Sequence, residues 1–362
     1  MNVVESTPPA VRQGDDVVIG VGVRSAIGLN AMQTVIGLRA EHLRIKETPF
    51  VDKNGDTISI CKASWLPDTL TGLPRLTALA VPAILEATAA WRRASEARLG
   101  YAPPLPLVMA VPERVSFRQS SHHKHQEFLQ DFANAAQHCI DPAGTKIVSG
   151  GRASGVLAIQ KALTLLATGA EAVIVGGVDS YFDADELERL DAQLRVHGLE
   201  TENGFIPGEA AAFLLLAPRR RSGSCTRYAS ILGHAHEEEP RPYGHPEPCQ
   251  SLGMTLALRN AASSVGESRS VGWQITDVVN ERHRVDEWEY ARARAFQLFT
   301  DDVTHEQPLL SCGDVGSASV PLFVSIATLR WATGCGVGDT AMIAVHSDGP
   351  ERGALLIARE AP

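Results

Sequence analysis

Among 362 residues there is no C-x-x-C pair, although six cysteines are present: Cys61, Cys139, Cys225, Cys249, Cys312 and Cys335. That pattern speaks against a zinc ribbon or a thioredoxin-type centre. In a chain this long it does not make a disulfide framework either. The opening "MNVVESTPPAVRQGDD" has no apolar stretch of the kind a secretory signal needs. No run of about 18 apolar residues appears, so no membrane span is expected, and the cytoplasm is the default location. Basic excess is lacking too. The 33 lysines and arginines face 42 aspartates and glutamates, a net charge of −9, which argues against nucleic acid as a partner. The short run Arg219–Arg221 reads as a solvated loop between two halves. In "VIGVGVRSAIG" Ser25 stands where a dinucleotide loop needs its third glycine, so no nucleotide cofactor is implied.

What the chain does have is apolar substance, 44% of its residues, in alternating strand and helix patterns. Residues 1–15 read as a loose arm and 17–23 as a buried strand. Residues 74–94 read as a helix made irregular by Pro82, and 106–112 as a strand. Residues 121–137 read as a loop entering a helix. Residues 155–169 are apolar nearly all round, which predicts a buried helix. The strand "EAVIVGGVDS" follows, then another at 210–218. The second half repeats the kind: a strand near "YASILGHAH", a helix at 251–265, a strand at 275–281 and a helix at 286–299. A buried helix at 316–334 leads to a hairpin at 341–359 around an Asp-Gly-Pro turn. Such alternation implies layered α/β halves, divided here as 1–218 and 219–362 and packed as one unit.

Four segments, in this order, resemble the β-ketoacyl-acyl-carrier-protein synthases. They are "VVIGVGVRSAIGLNAMQTVIGLRAEHLRI", "AIQKALTLLATGAEAVIVGGVDS", "GFIPGEAAAFLLL" and "SCGDVGSASVPLFVSIATL". The resemblance spans nearly the whole length and implies the thiolase fold, five αβαβα layers made of two similar halves. It also implies a homodimer, expected to pair through an edge strand near "AVIVGGVDS". Members of that family attack with a cysteine at the start of a buried helix, where the helix end lowers the thiol's pKa. In the decarboxylating members two histidines stabilise the enolate.

None of the three groups carries over. The cysteine position falls on Arg152, which cannot act as a nucleophile. In "DVVNERHRVDEW" the first histidine position falls on Glu281 or Arg282, depending on one gap, with His283 just beyond. The second falls on Asp314 after Gly313. A divergent group with similar "TPFVDKNGD", "NERHRVDEW" and "CGDVGSAS" segments, associated with type VI secretion clusters, resembles this chain further.

Arg152, Glu281 and Asp314 are therefore expected to converge. One outcome is a pocket in which Arg152 holds a carboxylate or phosphate at a helix N-terminus. The other is an internal ion network filling the old site. Ser149, Ser154 and Cys312 are the fallback nucleophiles, and Ser154, His283 and Asp314 can be written as a triad whose base is His283. The groups "HHKH" (122–125) and "HAHEEE" (234–239) read as exposed polar loops and Asp286, Glu287 and Glu289 as first-turn helix acids, so no metal is implied. Glu209 reads as a buried structural acid and "GGVDS" as a close-packing strand end. The expected role is binding: an adaptor or accessory protein, for the loading of secreted cargo, with a protein partner or acyl carrier protein. The alternatives are an acyl-binding synthase partner and an acyltransferase with a relocated nucleophile.

Overall fold

Strands buried on both faces set the layers, their side chains entering two cores alternately. In a computed structural model describing residues 14–114, 131–136, 138–263 and 270–360, the first half contains β1 (Asp16–Ser25), α1 (Ala31–Arg39), β2 (Ile45–Val51), β3 (Thr57–Cys61) and α2 (Gly72–Leu99). β4 (Leu107–Ala110), β5 (Lys146–Val148), α3 (Ser154–Ala167), β6 (Val173–Ser180), α4 (Ala184–Ala192) and β7 (Glu209–Pro218) follow. The second half contains β8 (Ala229–Glu238), α5 (Leu252–Ala262), β9 (Val271–Thr276), α6 (Arg282–Arg294) and β10 (Phe299–Glu306). It closes with α7 (Leu309–Cys312), α8 (Ser319–Ala332), β11 (Thr340–His346) and β12 (Glu351–Arg359).

Ten strands run in the order β10-β9-β11-β12-β8-β1-β7-β6-β4-β5. The order is a duplication. Each half pairs its first strand antiparallel with its last, its last antiparallel with the one before it, and then adds two parallel strands. The halves meet where Val17 and Val18 of β1 pair with Ser230 and Ala229 of β8.

Side chains on β7 alternate between two cores. Ala210, Ala212, Leu214 and Leu216 face the inner core with α3 and α8, while Ala211, Phe213, Leu215 and Ala217 lie under α2. On β12, Leu355 and Ile357 point inward, and Ala354 and Leu356 lie beneath α5 and α6. Helices α3 and α8 touch strands of both halves and form the middle layer, with α2 outside one half and α5 with α6 outside the other. This gives the five α/β layers. The two glycines of "VVIGVGV" serve that packing: a Cβ on Gly20 or Gly22 would lie 1.9 Å from a backbone oxygen of α2. Gly177 of β6 is equally constrained, its Cβ position lying 2.1 Å from the Ser317 carbonyl oxygen. α2 is long and apolar enough, by length and composition, to cross a bilayer, but it lies along β1, β6 and β7 with its own Arg75 fully buried.

Several sequence expectations are corrected. β6 is not an edge strand, because β7 and β4 occupy both its sides; the edges are β5 and β10. The strand expected at 275–281 ends at Thr276, and the helix expected from 286 begins at Arg282, so Asp286, Glu287 and Glu289 lie beyond its first turn. Phe299 opens β10 rather than closing that helix. His234–Glu238 belong to β8, where the ladder to β12 sets them, and Glu239 is buried. The run Arg219–Arg221 does lie in a turn with no buried residue, as expected; Arg219 meets Glu360 at 2.5 Å and Arg221 the carbonyls of Gly169 and Ala170, which fasten the turn between β7 and β8. Residues 1–13 of the arm, 121–130 with the "HHKH" group, Gln137 and 264–269 lie outside the described residues.

Candidate functional site

The start of α3 lies between the two halves, where β6, β11 and the turn before α8 come together. A single 3-10 turn, Gly151–Ala153, precedes the helix and carries Arg152. Ser347 fixes that turn: its Oγ accepts the Ala153 N–H at 3.1 Å and donates to the Gly150 carbonyl at 2.6 Å. A cation at a helix N-terminus opposes the helix dipole and needs an anion beside it. Asp314 supplies one, its Oδ2 lying 2.7 Å from Arg152 Nη2, and Asp348 a second at 3.0 Å from Nη1. Arg152 is 4% exposed and Asp314 fully buried.

The pair belongs to a larger network. Arg284 donates to Asp314 at 2.7 Å and to the Asp277 carbonyl. Arg195 grips Glu281 with two bonds of 2.6 and 2.9 Å and reaches Asp348 at 2.5 Å. His346 Nδ1 lies 2.9 Å from Asp277. Three guanidiniums, of Arg152, Arg195 and Arg284, thus face four carboxylates, of Asp277, Glu281, Asp314 and Asp348. Burial would raise the Asp314 carboxyl, but Arg152 and then Arg284 hold it well below the usual carboxylate range. Asp348 is likewise held low, Arg152 and Arg195 outweighing its desolvation. Burial alone would lower Arg152, yet Asp314 and Asp348 keep its guanidinium firmly charged. Arg284 Nε is buried without a partner among the described residues, so the network is not perfectly satisfied. Such a network need not add net stability, although breaking it is costly.

The sequence placed Arg152 and Asp314 together, and they are. Glu281 joins the same network through Arg195 and, at 3.5 Å, Arg284, not through Arg152. Arg282 does not join it: its side chain is 90% exposed and faces Asp286. Ser154 is fully buried and spends its hydroxyl on the Gly151 carbonyl at 2.5 Å. Cys312 donates its thiol to the Pro308 carbonyl at 3.3 Å, and burial pushes its pKa well above the usual thiol range, the reverse of an activated nucleophile. Ser149 is exposed ahead of the helix. No hydrogen bond joins His283 to Ser154 or Asp314 among the described residues. His283 stacks on Tyr243 at 4.3 Å between ring centroids. The triad does not assemble, because Asp314 is committed to two arginines.

Burial, with His346, Arg284 and Arg195 nearby, pushes His283 down to about 2. Such an imidazole takes up no proton near neutrality and is a poor general base. In the unfolded chain it titrates near ~6.5. Between the two values the unfolded chain holds a proton that the folded chain lacks, so stability falls as pH drops below ~6.5. The slope from one such group is at most about 1.4 kcal/mol per pH unit, less where water reaches the ring. Between about pH 7 and 5 the urea-derived stability of His283→Gln should therefore fall about 1 kcal/mol less than that of the unaltered protein. Parallel pH curves would show that His283 is not held neutral.

Above Arg152 opens a cavity of about 240 Å³. Its wall is polar, with Glu113, Arg114, Asp179, Glu186, Arg189 and Asp348 among its lining residues. Arg114 donates to Asp179 at 2.7 Å and lies over the Tyr181 ring. Arg195, Arg284, Asp348 and Asp277 were not picked out in the sequence. Asp348 sat in a turn motif, and nothing local marks the two arginines.

Nearly the whole chain superimposes on solved ketosynthases. A complex of a ketosynthase with its chain length factor, from Xenorhabdus doucetiae, gives a TM-score of 0.74 at 16% identity, covering 99% of this chain and 100% of the other. The chain has the thiolase fold. The ketosynthase from module 6 of the bacillaene synthase of Bacillus subtilis 168 gives 0.76 at 12% identity, over 96% of this chain and 72% of the other. A type II polyketide acyl-carrier protein in complex with its ketosynthase gives 0.75 at 13% identity, over 96% and 100%. No protein-family model and no curated protein matches the sequence.

Proposed function

We propose that this chain is a ketosynthase-fold protein without condensing activity, acting by binding as an accessory or partner subunit. One observation carries the proposal. Arg152 stands at the helix start where the resembled enzymes hold their cysteine, and it is tied to Asp314 at 2.7 Å. The charge is consumed inside the chain, which supports a filled site over an anion pocket. The polar wall above Arg152 also argues against an acyl chain reaching it. Buried Ser154 and buried Cys312, both hydrogen-bonded to backbone carbonyls, weigh against a relocated nucleophile.

The test is intact mass after incubation with a panel of acyl-thioesters and acylated carrier proteins, malonyl forms included. The expected result is an unchanged mass. A stable acyl adduct on Ser149, Ser154 or Cys312 would overturn the proposal and make the protein an acyltransferase.

The solved likenesses include a ketosynthase with its chain length factor and another with its acyl-carrier protein. By that analogy the partner is a second ketosynthase-fold chain or an acyl carrier protein. Self-pairing would use β5, the last strand of the sheet among the described residues, across a two-fold axis. A cytoplasmic role in loading secreted cargo, beside a type VI machine, is a finer proposal that draws on sequence resemblance alone.

A further inference from the structure

A second cluster lies on the far side of β12, outside the network around Arg152. Glu239 follows the end of β8, Cys249 lies on the loop leading to α5, and Glu287 is on α6. One ligand atom from each lies within 4.8 Å of the other two. Glu239 is 1% exposed. Its Oε2 accepts the Gly253 N–H at 2.8 Å, while its Oε1 is buried with no hydrogen-bond partner. A buried carboxylate oxygen left bare is costly unless something positive meets it, and one oxygen of this carboxylate lies within 4.8 Å of the thiol sulfur and of a second carboxylate. Arg352 does not: its guanidinium forks onto Glu287, at 2.5 and 3.0 Å, and its Nη1 goes to the carbonyls of Ser347, Gly349 and Glu351.

We propose that Glu239, Cys249 and Glu287 bind one divalent transition-metal ion of the zinc type. Charge supports this. Two carboxylates and a thiolate against one guanidinium leave two negative charges, which a divalent ion cancels. A free cysteine thiol carries its proton at neutral pH. Binding therefore exchanges one proton for the metal: the S–H bond breaks, the S–M bond forms and the proton leaves to solvent. The ligand types suit zinc, and three protein ligands leave a fourth position for water. Around zinc, sulfur and oxygen ligands sit about 3.6 Å apart, so the cluster closes by no more than about 1 Å, and Cys249 lies on a loop. The consequence would reach the first site. Arg352, held by Glu287, shapes the turn that presents Asp348 to Arg152 and Arg195.

The full chain, stripped with a chelator and titrated with Co²⁺, should show a thiolate-to-cobalt charge-transfer band saturating at one ion per chain. Cys249→Ser should lose the band and Cys335→Ser should keep it, both with unchanged circular dichroism. Adding Zn²⁺ to the unaltered protein should slow alkylation of Cys249 at least tenfold, read by peptide mass, while Cys335 reacts as before. This arm holds even if Cys249→Ser does not fold. No band, a band that survives Cys249→Ser, or unchanged Cys249 alkylation overturns the site.

Discussion

Arg152→Met should lower the unfolding free energy by about 3 kcal/mol, the lower end of the 3–5 kcal/mol that breaking a buried ion pair costs. The lower end applies because neither carboxylate is wholly abandoned. Arg284 stays 2.7 Å from Asp314, and Arg195 stays 2.5 Å from Asp348. Asp314→Asn should cost a similar amount, since it leaves Arg152 and Arg284 competing for fewer charges in a dry site. The double variant should cost less than the sum of the two, with a coupling of about 1–3 kcal/mol expected for contacting residues. Urea midpoints at neutral pH measure all three. The pair should hold its strength across the neutral range, because the Asp314 carboxyl is depressed. Its contribution is complete above the ordinary value near ~3.9 and disappears only as pH falls through the lower folded value. An anion pocket makes the opposite forecast: Arg152→Met would fold almost as stably as the parent and lose affinity for a carboxylate or phosphate. A cost under about 1 kcal/mol with additive variants would sink the network and favour that pocket.

What could be read from the sequence followed from periodicity and composition. The all-round apolar stretch beginning at Gly155 had to be a buried helix, and α3 contacts strands of both halves. The strand at 210–218 and the last hairpin were visible because long apolar runs fill them, ten consecutive residues of β7 and seven of β12 lying buried. Pairing was not visible. β6 has the same apolar look whether one or two neighbours flank it, so its place inside the sheet had no local signal. β10, "FTDDVTHE", escaped notice because an edge strand with exposed acids lacks apolar alternation. At the site, Arg152 and Asp314 were recognisable by their positions in a resembled pattern. Their partners were not. Arg195 meets Glu281 across 86 residues, and Arg152 meets Asp348 across 196. A charged residue in a polar loop looks the same whether it faces water or a buried carboxylate, and only the closed fold distinguishes them.

The second large effect is expected at Glu209, the acid whose burial was legible in the sequence. Its carboxylate takes Arg75 Nε and Nη2 at 2.7 Å each, the Ala63 N–H at 2.6 Å and the Ser180 hydroxyl at 2.5 Å. Arg75 and Glu209 are both fully buried. Glu209→Ala should cost about 3–5 kcal/mol by stranding the guanidinium alone. Replacing an isolated buried pair by apolar side chains is often neutral, but here that remedy should fail. In Arg75→Met/Glu209→Leu the Ala63 N–H and the Ser180 hydroxyl lose their acceptor, at about 1–3 kcal/mol for each group left unsatisfied. The double variant should therefore remain at least about 2 kcal/mol below the parent in urea unfolding. Recovery to parental stability would mean that the pair alone, not the four-donor cluster, sets the cost. The loss should also be felt at Arg152. Gly208, next to Glu209, donates its N–H to the Asp314 carbonyl at 2.8 Å, and the Asp314 N–H returns to Ile206 at 2.8 Å. The strand end that Glu209 anchors is thus the one that holds the Asp314 turn in place. Amide exchange at Asp314 should quicken in Glu209→Ala by more than global destabilisation explains, because the local contact loosens first.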